Sequence, residues 1–249
     1  AMRNLLSLLL LVMLLLPGCA AANADDTAVA NETDADWAPL FDGESLDGWS
    51  VRCLPGDVDK VFWVAEDGEL VADSMGRGDH GYVWLIHDRE LADFELRLKF
   101  RTYRDSPGNS GIQVRSIRIP GSHEMKGYQV DAGIGWWGKI YDESRRNRVI
   151  AEPVDPAALK KVAQDWDWNH YRILCEGRQI RSWINGIPAL DYVEEDLQIP
   201  QDGHIGLQVH EGGITHLQVK NIYIKKMSDT PGLPKWSDID KQSLIKLLN

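Results

Sequence analysis

The residues of this chain with the most chemical promise fall between positions 106 and 148. Three stretches there mix acids, a histidine, amides and aromatics with glycine: Ser106-Pro-Gly-Asn-Ser-Gly-Ile-Gln-Val-Arg115, His123-Glu-Met-Lys-Gly-Tyr-Gln-Val-Asp131 and Gly135-Trp-Trp-Gly-Lys-Ile-Tyr-Asp-Glu143. Side chains on a β-strand alternate between two faces. Gln113 would then share a face with Arg115, Gln129 with Asp131, and Lys139 with Tyr141 and Glu143. On a later strand Gln208 would share one with His210. If these faces converge, one site holds carboxylates, an imidazole, a guanidinium and amides. That set suits proton transfer, or a hard metal ion with oxygen ligands and one imidazole. Each member alone also has an ordinary reading, because solvent-facing strand positions are polar by default. Arg145-Arg146 with Arg148 reads as a solvated charge run or as the partner of an acidic loop.

Several familiar chemistries have no motif here. There is no G-x-S-x-G, no Walker A and no dinucleotide fingerprint. His123-Glu124 starts like a zincin helix, but Gly127 stands where the second His belongs. No strand carries carboxylates in the spacing E-x-D-x-x-E, so a two-carboxylate glycosidase mechanism is not supported.

The elements that must position these residues read as strands. Glu69–Ser74, Tyr82–His87, Phe94–Arg101, Ile112–Ile117, Tyr171–Cys175, Gln179–Ile184, Ile187–Tyr192, His204–His210 and His216–Lys225 are short runs rich in β-branched, aromatic or alternating apolar residues. Glu176-Gly177-Arg178 and Asn185-Gly186 mark tight turns between them. One short helix is expected at Pro156–Gln164, and another after Ser237. Many short strands with little helix predict an antiparallel two-layer β-sandwich.

Composition narrows the partners. The 249 residues carry 27 Lys+Arg against 38 Asp+Glu, a net charge of -11, so a nucleic-acid partner is disfavoured. Apolar residues are 43% and charged ones 26%, ordinary for a folded domain. Ten Trp against four Phe is unusual. Indole faces suit the C–H faces of sugar rings, although most of these rings are expected in the core.

The N-terminal segment is organised differently. Met2-Arg3-Asn4 precedes an apolar run from Leu5 to Leu16 that is too short to span a bilayer and reads as an export signal. Leu16-Pro17-Gly18-Cys19 resembles a lipobox, making Cys19 a lipid anchor, with cleavage after Ala24 as the alternative. The reading is 1–19 as signal peptide, 20–36 as flexible tether, 37–227 as the sandwich and 228–249 as a C-terminal tail. The protein is thus expected in the periplasm or as an outer-membrane lipoprotein. Cys53 and Cys175 could form a disulfide or remain core thiols.

The chain resembles a bacterial family described as 3-keto-disaccharide hydrolase, with 3-keto-glucoside 1,2-lyase and 3-keto-2-hydroxy-glucal hydratase activities. The matching pieces are Leu40-Phe-Asp-Gly-Glu-Ser-Leu-Asp-Gly-Trp49, Asp93–Arg101, Gly108-Asn-Ser-Gly-Ile112, Gly127-Tyr-Gln-Val-Asp131, Asp167-Trp-Asn169, Trp183-Ile-Asn-Gly186, Gly203–His210 and Lys220–Ile224. Many relatives read Gly-Tyr-Glu-x-Gln where this chain has Gly127-Tyr-Gln-Val-Asp131, which moves the carboxylate by two residues on one strand face. The resemblance implies a concanavalin A-like jelly-roll sandwich acting on a glycoside or oligosaccharide. A ketone at C3 acidifies the C2 hydrogen, so a base can form an enolate that expels the C1 substituent before water adds. His210, Glu143 and Asp131 are the candidate catalytic residues. Asn109, Arg115, Gln129, Trp136, Lys139, Tyr141, Trp183 and Gln208 are candidate substrate contacts. Asp131, Glu124 and His210 are candidate ligands for a divalent metal ion. The alternatives are a non-catalytic carbohydrate-binding module or envelope lectin, and a structural envelope domain without a pocket.

Overall fold

The computed structural model describes residues 36–106, 109–212, 215–239 and 243. The expected leader with Cys19 and the tether up to residue 35 lie outside the described residues. So does most of the helix expected beyond Ser237, where the described parts are a 3-10 turn, Trp236–Asp238, and Ser243, which is helical.

In chain order the strands are β1 (Trp37–Pro39), β2 (Trp49–Arg52), β3 (Trp63–Glu66), β4 (Glu69–Asp73), β5 (Val83–His87), β6 (Phe94–Thr102), β7 (Ser110–Arg118), β8 (Met125–Ala132), β9 (Ile140–Glu143) and β10 (Val149–Ala151). Helix α1 (Pro156–Val162) follows, then β11 (Asn169–Glu176), β12 (Gln179–Ile184), β13 (Ile187–Val193), β14 (His204–Val209) and β15 (His216–Lys226). The pairings are antiparallel and build two sheets. The first runs β13-β12-β11-β6-β15-β4-β3, with β1 also on β15; the second runs β10-β9-β8-β7-β14-β5-β2. This is the expected sandwich. The nine expected strands are all present, with ends that differ by at most two residues.

Alternation explains which face of each strand is inward. Phe94, Leu96, Leu98 and Phe100 of β6 point into the core, where each fully buried side chain contributes roughly 1.5–3 kcal/mol. From the second sheet Ile112 and Val114, Tyr128 and Val130, and Leu207 and Val209 close the same core. The period of two then forces the intervening residues of β7, β8 and β14 onto the opposite face of that sheet.

The turns follow their sequences. Asn185 and Gly186 have φ of 50° and 81°, the left-handed pair a two-residue hairpin loop requires. Helix α1 starts where expected, because Asp155 accepts from the amides of Ala157 and Ala158 at 3.0 and 2.9 Å. It ends two residues early, as the side chain of Asn169 takes the Gln164 amide at 2.8 Å. Cys53 and Cys175 are both free thiols, and Cys175 is buried.

Candidate active site

The outward face of the second sheet is polar, yet buried. Gln113, Gln129, Asp131 and Gln208 are each at most 1% exposed, and Glu143 is 7% exposed. The amides are linked into one chain. The Ser116 hydroxyl donates to Gln113 Oε1, and Gln113 Nε2 donates to Gln129 Oε1 at 3.3 Å. Gln129 Nε2 donates both to Asp131 Oδ1 at 3.0 Å and to Gln208 Oε1 at 3.2 Å. Gln208 Nε2 reaches Glu143 Oε2 at 3.5 Å. The two carboxylates are therefore the ends of a branched amide network.

Small residues make room for it. Gly111 faces Asp131 across the β7–β8 ladder, and a Cβ there would lie 2.4 Å from Gln129 Cγ. Gln129 can cross β7 toward Gln208 because position 111 has no side chain. Likewise a Cβ on Gly206 would meet Met125 Sδ at 2.8 Å. Met125 packs with Trp84, Ile86 and Tyr82 into an apolar patch beside the polar one.

Burial decides the protonation of the acids. It pushes the Asp131 carboxyl up to about 8, helped by the Glu143 charge and opposed by the Gln129 hydrogen bond and Lys139. Asp131 Oδ2 is buried with no hydrogen-bond partner. Burial also raises Glu143 to about 7, and it raises Glu124 to about 7 with Glu143 and Glu211 adding to the effect. The Tyr82 hydroxyl is pushed up by burial and by the charges of Glu143, Glu124 and Glu211, so it holds its proton.

The rim is more open. Tyr82 Oη lies 3.4 Å from His210 Nε2, and their rings meet edge to face at 5.0 Å. Lys139 Nζ sits 5.1 Å from the Trp136 ring centroid and 3.8 Å from Glu152. Tyr141 lies beside Glu143, and both are on the face that alternation predicts. Asn109, just before β7, has a buried Oδ1 with no hydrogen-bond partner. Its neighbour Ser110 donates to the Gln208 carbonyl at 2.7 Å.

Two expected contacts lie elsewhere. Arg115 does not share the face of Gln113. Its φ is 51° and the β7–β8 register shifts between Val114 and Ile117, so a bulge breaks the alternation. The buried guanidinium instead pairs with Asp93 at 2.7 Å and donates to the carbonyls of Ala92 and Gly177 and to Gln201. Trp183 stands on the outer face of the first sheet, because its neighbours Ile180, Ser182 and Ile184 take the inward positions. Arg172 covers its ring at 4.2 Å.

The expected metal ligands are also regrouped. Among the described residues, the His/Cys/Asp/Glu group whose ligand atoms lie within 4.8 Å of one another is His123, Glu124 and Glu211. Asp131 and His210 are not part of it. His123 Nε2 and Glu124 Oε2 are both buried without a hydrogen-bond partner. From sequence His123 reads only as an incomplete zincin start, and Glu211, Tyr82 and Ser116 carry no site signal of their own. Strand parity places Tyr82 with Trp84 and Ile86, but nothing local brings Glu211 to Glu124.

A two-sheet antiparallel sandwich with a buried carboxylate–amide face defines the class. Residues 36–225 match the family model of the 3-keto-alpha-glucoside-1,2-lyase-like domain, and the chain belongs to that family. Similar solved structures include a candidate glycosyl hydrolase from Parabacteroides distasonis ATCC 8503, with TM-score 0.56 and 16% identity over 79% of this chain and 98% of that one. Carbohydrate binding module CBM66 from Bacillus subtilis has TM-score 0.50 and 15% identity over 72% of this chain and 96% of that one. A galectin-like protein of Bacillus subtilis has TM-score 0.50 and 10% identity over 75% and 92%. At these identities the likeness is one of fold. No curated protein matches the chain.

Proposed function

We propose that this protein cleaves 3-keto-glycosides by C2-proton abstraction, elimination and hydration on the outward face of the second sheet. One observation carries the reading: two buried carboxyls on that face, Asp131 and Glu143, are held by one amide network with affinities for protons near neutrality. Family membership supports the substrate class.

Glu143 takes the C2 proton, which the neighbouring ketone has acidified. Asp131, kept neutral by burial, donates a hydrogen bond from Oδ2 to the enolate oxygen as charge develops there. As the C1–O bond breaks, the Tyr82–His210 pair supplies a proton to the departing oxygen. Water then adds at C1 and gives one proton back to the Tyr82–His210 pair, while Glu143, whose proton has exchanged with solvent, protonates C2. Trp136, Lys139 and Tyr141 at the rim, with Asn109 and Gln208, hold the sugar.

His123, Glu124 and Glu211 are the residues that would hold a divalent ion, since two of their buried ligand atoms have no hydrogen-bond partner. A bound cation would supply Lewis-acid polarisation of a substrate oxygen. The protein is exported, with Cys19 as its lipid anchor, in keeping with a substrate met outside the cytoplasm.

The test is incubation with a 3-keto-glucoside bearing a chromogenic aglycone, in D2O and with or without chelator. Aglycone release with deuterium at C2 is expected. Release without deuterium would replace elimination by direct hydrolysis. No release from folded protein would sink the enzyme reading and leave a carbohydrate-binding module, to be probed with unoxidised glycans.

A further inference from the structure

The amide network has a direction, and its far end lies outside the carboxylate pair. Asp131 Oδ1 accepts from Gln129 Nε2 at 3.0 Å, an arrangement that holds while the carboxyl is ionised or carries its proton on Oδ2. Gln129 Oε1 then accepts from Gln113 Nε2 at 3.3 Å, which leaves Gln113 Oε1 facing Ser116. The Ser116 hydroxyl has one proton and three acceptors around it. Gln113 Oε1 is the nearest; the carbonyls of Val114 and Tyr128 lie at 3.0 and 3.5 Å. Ser116 is fully buried, so no water competes for that proton. Its place is fixed by the same bulge that redirects Arg115. A Cβ on Gly127 would sit 2.3 Å from Ser116 Oγ, so only glycine there lets the hydroxyl in.

We propose that Ser116 is the positioning residue that sets the direction of the amide chain and thereby keeps the Asp131 proton on Oδ2, the oxygen free of any protein partner. The proposal rests on the lyase reading above. Without the hydroxyl, Gln113 can turn its NH2 toward the two freed backbone carbonyls. Its oxygen then opposes Gln129 Oε1, and Gln129 turns over. Asp131 Oδ1 loses its donor and takes the proton, to share with Gln129 Oε1. The reacting oxygen is left bare.

The other groups that act on Asp131 are Lys139, which favours its charged form, and Glu143 and Glu152, which oppose it. The Tyr171 hydroxyl donates to the Asp131 backbone carbonyl at 3.1 Å and does not touch the carboxyl. None of these contacts Ser116, so a change made there reaches Asp131 through the amides.

The experiment is titration of the Asp131 side-chain carboxyl carbon by NMR in the full chain and in Ser116→Ala, Ser116→Thr and Gln113→Met. The wild-type carboxyl is expected to titrate near 8. Loss of one hydrogen bond to the charged form should raise that midpoint by on the order of one unit in Ser116→Ala and Gln113→Met. Ser116→Thr, which keeps the hydroxyl, should restore it. A raised wild-type midpoint that does not move in Ser116→Ala or Gln113→Met would overturn the positioning role and leave the lyase reading standing. A wild-type midpoint in the ordinary carboxylate range would overturn both. Should Ser116→Ala not fold, Gln113→Met decides alone, since it keeps the side-chain volume.

Discussion

Replacing Asp131 by Asn should make the protein more stable at neutral pH and leave its stability in acid nearly unchanged. The Asn side chain keeps an oxygen for Gln129 Nε2, and its NH2 takes the place of the protonated Oδ2, so the shape and the hydrogen bond survive. What changes is proton linkage. Folded Asp131 titrates near 8, against 3.8 for the ordinary side chain. Below about pH 4 both folded and unfolded chains hold this proton. As pH rises the unfolded chain releases it and the folded one keeps it, so stability falls by about 1.4 kcal/mol per pH unit until about pH 8. Between pH 5 and pH 7 the wild type should therefore lose about 2.7 kcal/mol that the Asn variant does not lose. Glu143 and Glu124 are raised in both proteins and largely cancel in the difference. Urea denaturation of the two proteins at pH 5 and pH 7 measures it. The same stability difference at both pH values would mean that Asp131 is ionised in the folded protein, and its role as a neutral hydrogen-bond donor would be refuted.

Aglycone release should peak between about pH 7 and 8, because Glu143 must be ionised and Asp131 protonated; a rate that keeps rising above pH 9 would exclude Asp131 as the donor. Gly111→Ala should lower turnover by roughly tenfold or more by displacing Gln129, a loss typical of small misplacements, and unchanged kinetics would show that the amide network is dispensable. Arg115→Ala strands the buried Asp93 and should cost about 3–5 kcal/mol in denaturant unfolding; a small cost would contradict its role as an internal ion pair. Trp183→Ala should leave glycoside affinity unchanged in calorimetric titration, since that ring lies on the other sheet.

Much of this molecule follows from local sequence. The strict alternation of Phe94–Arg101 and the Asn185-Gly186 turn dictate a half-buried strand and a tight hairpin wherever the rest of the chain lies. The same period of two puts Gln129 with Asp131 and Tyr141 with Glu143 independently of any tertiary contact. Both inferences hold because side-chain direction in a regular strand is set by the backbone itself. The motif Gly108-Asn-Ser-Gly-Ile112 also marked a real constraint, as Gly111 leaves space for the Gln129 side chain.

Other features depended on partners far away in the chain. Alternation fails at Arg115, because the bulge opposite Gly127 turns it toward Asp93, Gly177 and Gln201. Local sequence places Trp183 on a strand, but its face is decided by which side of the first sheet meets the core. His123, Glu124 and Glu211 converge from the segment before β8 and the turn after β14, elements that are distant in sequence. The acidity of Asp131 is likewise a tertiary property: the residue type supplies a carboxyl, and burial with Glu143 nearby keeps it neutral. Sequence determined the strands, their alternation and the chemical groups available. Tertiary structure decided which faces met and how much water remained, because proton affinity and hydrogen-bond direction respond to groups brought together only by folding.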